Sequence, residues 1–213
     1  MQANYQHQSL REEIANSITH GIGLLLSISG LVLLVVFACL RGDVWHIVSF
    51  SIFGVGMIMV YTSSTLFHSF RNVKIKSILN IIDHSAVYLL IAATYTPFTL
   101  VSIRGPWGWS IFGVVWAAAI AGIILKIFFI GKYRTLSTLL YVAIGWVLLI
   151  AIKPLYASLP TPGFWLLMAG CFTYSIGVIF FLWRKLPFGH SIWHLFVLGG
   201  TICHFFAIIL YVL

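Results

Sequence analysis

Along the chain, long apolar runs alternate with short polar punctuation. Seven runs are long enough to cross roughly 30 Å of hydrocarbon as helices, which takes about 20 residues each. They cover 18–40, 44–68, 78–102, 107–130, 138–155, 163–183 and 191–213. The connections are short and hold the breakers: Gly42, Gly105-Pro106, Gly131, Pro160 with Pro162 and Gly163, then Pro187 with Gly189. Strands of a membrane barrel would alternate in polarity over about ten residues, and these runs do not. The pattern predicts an all-α membrane protein, a single seven-helix transmembrane bundle over 18–213. The segment 1–17 ahead of it is too short to form a domain.

Composition narrows the class further. The chain is 61% hydrophobic and only 8% charged, against about 25% charged residues in soluble domains. The net charge of +8 does not point to nucleic acid, because the basic residues are scattered between apolar runs. They read as topology determinants and contacts to anionic lipid. Nine fall on the N-terminal tail and the even-numbered connections: Arg11, Arg71, Lys74, Lys76, Lys126, Lys132, Arg134, Arg184 and Lys185. Three, Arg41, Arg104 and Lys153, fall on the other side. The positive-inside rule then places the N-terminus in the cytoplasm and the C-terminus outside, in a multi-pass protein of the cell membrane. Cys39, Cys171 and Cys203 make no disulfide framework. Val36-Phe37-Ala38-Cys39 superficially resembles a lipoprotein cleavage site, but the preceding run is far longer than a signal h-region, so a retained helix is expected.

The candidate chemistry lies at one membrane face. His68 ends the second span, Asp83 stands in the first turns of the third, and His190 and His194 open the seventh. The last two, four residues apart in "GHSIWH", project from one face of a helix. A carboxylate inside a span costs on the order of 3 kcal/mol unless paired or solvated, so Asp83 is a functional candidate by default. Zinc favours imidazole nitrogen, and catalytic zinc sites use three protein ligands and one open position. His68, His190 and His194 can supply the three, while Asp83 offsets charge and orients a water. Ser64, one turn before His68, would sit beside them. The alternative is that these histidines only bond between helices. Glu13, Asn16 and His20, three then four apart, are either outer partners of the site or caps and anchors. His84 points about 100° from Asp83 and reads as a helix contact. His204 lies roughly 15 Å beyond His194, too deep to share the metal. Gly54, Gly56, Gly199-Gly200 and Ala117–Ala119 are small surfaces for close helix packing.

"SSTLFHS" in the second span, "IIDHS" in the third and "HSIWH" opening the seventh resemble the progestin and adipoQ receptor superfamily, in particular its bacterial hemolysin III branch. "REEIANSITHGIG" is similar to that branch's opening motif, and the resemblance runs over essentially the whole chain. The related adiponectin receptors and alkaline ceramidases are seven-helix bundles that hold zinc with three histidines and an aspartate-linked water. The resemblance thus implies His68, His190 and His194 as zinc ligands, Asp83 holding the water, and Ser64 beside it.

Three functions follow as expectations. The first is a zinc-dependent hydrolase of a lipid amide or ester, with membrane lipid as substrate. The second is a pore-forming hemolysin. The third is a receptor-like regulator of membrane state in which zinc is structural. Oligomeric state is left open.

Overall fold

A computed structural model of the chain describes residues 8–129 and 132–213. Residues 1–7 of the N-terminal segment, with Ile130 and Gly131 at the expected end of the fourth span, lie outside the described residues. Among the described residues the chain is helical, with no strand. The helices are α1 (Leu10–Arg41), α2 (Val44–Ser69), α3 (Val73–Pro97), α4 (Pro106–Phe129), α5 (Arg134–Gly145), α6 (Ile152–Ser158), α7 (Thr161–Leu182) and α8 (Gly189–Tyr211). A π-helical turn, Phe98–Ser102, continues α3, and a 3-10 turn, Val147–Ala151, joins α5 to α6. Among the described residues, seven helical stretches are long and apolar enough to cross a membrane, with α5 and α6 forming one of them together.

Local chemistry starts these helices. Ser9 and Glu12 form a reciprocal capping box at the head of α1, satisfying otherwise orphaned N–H groups. The first span is therefore the inner part of a helix that already begins at Leu10. Asp43 caps α2 and Asn72 caps α3 through their side-chain oxygens. Pro106 opens α4, where its missing N–H costs nothing. Gly105 before it adopts φ 137, a conformation that only glycine takes without strain.

α1 packs along α2 and α8, α2 along α3, α3 along α4, and α7 along α8. Small residues let these helices approach. Gly56 stands so close to Ala93 that an added Cβ would meet it at 2.6 Å, and Gly200 is equally tight against Tyr174. The fifth span breaks between Gly145 and Val147. Its freed backbone groups are met by one phenol: Tyr95 accepts from the Leu148 N–H at 2.9 Å and donates to the carbonyls of Ile144 and Gly145. Irregular backbone at membrane depth is tolerated where protein satisfies it in this way. Lys126, grouped with a connection by the sequence pattern, is buried within α4, with its ammonium 5.6 Å from the centre of the Tyr141 ring.

Candidate metal centre

The end of the bundle holding the start of α1 gathers side chains from three helices. His68 comes from the last turn of α2, Asp83 from α3, and His190 and His194 from the first turns of α8. The rings of His68 and His190 are 5.1 Å apart between centroids, those of His68 and His194 also 5.1 Å, and those of His190 and His194 4.6 Å. One nitrogen from each histidine lies within 4.8 Å of the other two. Among the described residues this is the group of histidine, cysteine and carboxylate side chains arranged to hold a metal ion.

Each of the three histidines keeps a buried ring nitrogen with no hydrogen-bond partner: Nε2 of His68, Nε2 of His190 and Nδ1 of His194. Burying a polar atom unpaired costs roughly 1–3 kcal/mol, so three at one point call for a common occupant. Neutral imidazole nitrogens are the donors that zinc prefers, and the residues fit that ion. The fit is independent of the resemblance. It rests on orphaned atoms.

Asp83 and Ser64 are both buried, and both line a cavity of about 30 Å³ with His190 and His194. A water occupies roughly 10–15 Å³ of such space, so a water beside an ion is accommodated. Ser64 stands beside Asp83, close enough for its hydroxyl to donate to the carboxylate or to a water there. This small cavity shares a wall of Val60, Val87, Tyr141, Trp193 and Val197 with a larger one of about 100 Å³ that runs deeper between α3, α5, α7 and α8. The larger cavity is almost wholly apolar, and His204 stands in its wall. There His204 Nε2 donates to the Leu167 carbonyl at 3.1 Å, far from the metal cluster. On the other side, His68 faces an open cleft of about 550 Å³ between α1, α2 and α3, which is also lined by Glu13, Arg71 and Lys76.

The residues that the sequence left between two roles are now placed. Glu13 accepts from His68 Nδ1 at 2.7 Å and from Lys76 Nζ at 2.7 Å. Asn16 is fully buried and accepts from Ser191 at 2.5 Å, tying α1 to α8. The His20 ring stacks on His194 at 3.5 Å between centroids, with both its nitrogens unpartnered. His84 reaches the wall of the small cavity and packs against Phe181, but adds no nitrogen to the cluster. Sequence reasoning missed the clasp between Glu12 and Phe188. Glu12 accepts from the Phe188 N–H at 2.9 Å, and Phe188 itself sits at φ 56 just before α8.

The family model described as haemolysin-III related matches residues 8–205. A Bacillus cereus protein named hemolysin-3 is 52% identical over 97% of this chain and 94% of its own length. The hemolysin-3 homolog of Bacillus subtilis (strain 168) is 54% identical over 95% of each chain. The human monocyte to macrophage differentiation factor is 29% identical over 92% of this chain and 83% of its own.

Proposed function

The chain belongs to the haemolysin-III related family, and from that premise we propose that it is a zinc-dependent hydrolase of a membrane lipid amide or ester. The observation that carries the reading is the convergence of three histidines with orphaned ring nitrogens, two of which line a small cavity with Asp83 that shares a wall with an apolar one. His68, His190 and His194 would hold the ion. A zinc ion in that place supplies a water acidified toward neutrality and polarisation of a carbonyl. Asp83 takes the proton of the attacking water and returns it to the leaving group. Ser64 donates a hydrogen bond to the water or to the substrate carbonyl. The deeper apolar cavity receives an acyl chain and excludes bulk water from the reacting bond.

The same reading puts the start of α1 and the metal centre at the cytoplasmic face. Cysteine placed at Lys74 is expected to label from inside intact cells, and one at Arg104 from outside. The reverse pattern overturns that topology.

Purified protein is expected to hold about one zinc per chain, as a three-histidine site requires. A screen of lipid amides and esters should show hydrolysis that a chelator abolishes and zinc restores. Zinc-free protein, or hydrolysis indifferent to chelator, ends the reading. The name of the Bacillus cereus relative favours a second one, permeabilisation of membranes. Dye leakage from vesicles that persists at full rate in His190→Ala would favour it.

A further inference from the structure

We infer that Glu13 is a positioning residue of the metal centre, which fixes the proton of His68 on Nδ1 so that Nε2 keeps its lone pair for the ion. The inference rests on the metal reading above and adds to it a residue of α1 that touches neither the ion nor the substrate.

The argument begins from what each atom can do. A carboxylate only accepts hydrogen bonds. At 2.7 Å from Glu13 Oε2, His68 Nδ1 is therefore the protonated nitrogen, and Nε2 is the bare one. Asn16 Nδ2 also approaches Nδ1, at 3.4 Å, but it donates to Gln8 Oε1 at 2.7 Å and is too far to compete. The bare Nε2 is buried, unpartnered and turned to the cluster. Metal-bound histidines commonly give their second ring N–H to such an acceptor, which sets tautomer and ring orientation.

Lys76 is what makes the arrangement testable. Its ammonium donates to Glu13 Oε1 at 2.7 Å, so the two oxygens of one carboxylate serve two donors from two different helices. Glutamine at this position has one oxygen and one NH2 group. An ammonium has no lone pair, so Lys76 claims the oxygen and leaves the NH2 facing His68. The ring then has to present a lone pair at Nδ1, and its proton moves to Nε2. That is the atom the metal needs. Removing the lysine releases the glutamine oxygen to turn back to His68.

Three measurements follow. In metal-free wild type, 15N spectra of the histidine rings, with His68 assigned by its loss in His68→Gln, are expected to show the Nδ1–H form. Glu13→Gln should convert His68 to the Nε2–H form and weaken zinc binding by about 10–100-fold in chelator competition, the scale of a lost outer partner. Lys76→Met alone should bind zinc within about two-fold of wild type, and Glu13→Gln/Lys76→Met should regain most of the affinity that Glu13→Gln loses. A merely structural pair gives no such rescue, because the double variant has lost one contact more. An Nε2–H form in wild type, unchanged zinc affinity in Glu13→Gln, or no recovery in the double variant overturns the inference. If Glu13→Gln does not fold, the wild-type spectrum still decides. If wild type binds no zinc, the hydrolase reading falls, while the tautomer of His68 and its response to Glu13→Gln still test the role of Glu13.

Discussion

The two ends of the bundle each carry an acid–histidine pair with the same separation. Asp43 and His46 meet at 2.7 Å at one end, and Glu13 and His68 at 2.7 Å at the other. In the first pair the residues are three apart at the head of a single helix, and the Asp43 side chain is 53% exposed. His46 spends its second nitrogen on the Val212 carbonyl at 3.2 Å. The second pair joins α1 to α2, its His68 side chain is wholly buried, and the second nitrogen of His68 has no partner. The contact is the same and the consequence is not. A histidine with both nitrogens engaged is a cap and a tie. A buried histidine with one nitrogen held and one bare, grouped with two other histidines, could hold an ion.

The sharpest way to break the comparison is to remove the rings. His68→Ala, His190→Ala and His194→Ala should each lower zinc affinity well beyond the roughly 10–100-fold expected of an outer partner, whereas His46→Ala should leave it untouched. Equal losses at both ends, measured by metal analysis after gel filtration, would erase the distinction. Asp83→Asn comes next. Asparagine keeps the size but accepts no proton, so lipid hydrolysis should fall by about 10²–10⁴-fold while the three histidines retain zinc. Loss of metal together with activity would make Asp83 a direct ligand. Unchanged hydrolysis with zinc retained would leave the carboxylate a packing group and the metal a staple.

Smaller effects belong to the capping end. His46→Ala should lower stability by about 0.5–1.5 kcal/mol through its lost hydrogen bonds, read by thermal unfolding in detergent with zinc content constant. The smallest effect is a pH dependence. The His46 side chain, then the His46 and Trp45 backbone N–H groups, hold the Asp43 carboxyl below its ordinary value. Its contribution is complete above the ordinary carboxylate pKa of about 3.9 and is lost as pH falls through the lower folded value. Protection of the amides in the first turn of α2, corrected for intrinsic exchange, should fall in acid, and Asp43→Asn should abolish that change. Protection that falls on the alkaline side instead would contradict the assignment.

The sequence made the seven crossings legible because bilayer thickness demands long uninterrupted apolar runs, and such runs are visible in one dimension. His190 and His194 were legible because helical spacing places them on one face. Asp83 was legible because a carboxylate in a span is conspicuous. Four features were not. The start of α1 at Leu10 is hidden by charged residues at 11–13, although Ser9 and Glu12 carry the capping signature. The break in the fifth span depends on Tyr95, a residue on another helix. No local signal announces it. The role of Glu13 depends on which neighbour each of its oxygens meets. Spacing put Glu13, Asn16 and His20 on one face of α1 but said nothing of what that face touches. The turn before α8 was expected from Pro187 and Gly189, yet the left-handed residue is Phe188.

The clasp between Glu12 and Phe188 also sets a clock. Its two halves are 176 residues apart in the chain. At roughly 5–20 residues per second, the ribosome needs roughly 9–35 s to traverse that distance. For most of that interval α1 and α2 are already made, with Glu13 and His68 in hand, while α8 with its two histidines has yet to emerge. The three histidines of the candidate centre come together only once the last crossing has been inserted beside the first. A chain that stalls or loses its final helix during synthesis holds one of those histidines, and it leaves the seam of α1 bare to lipid. If the centre holds a metal as proposed, metal capture would report the completion of the protein.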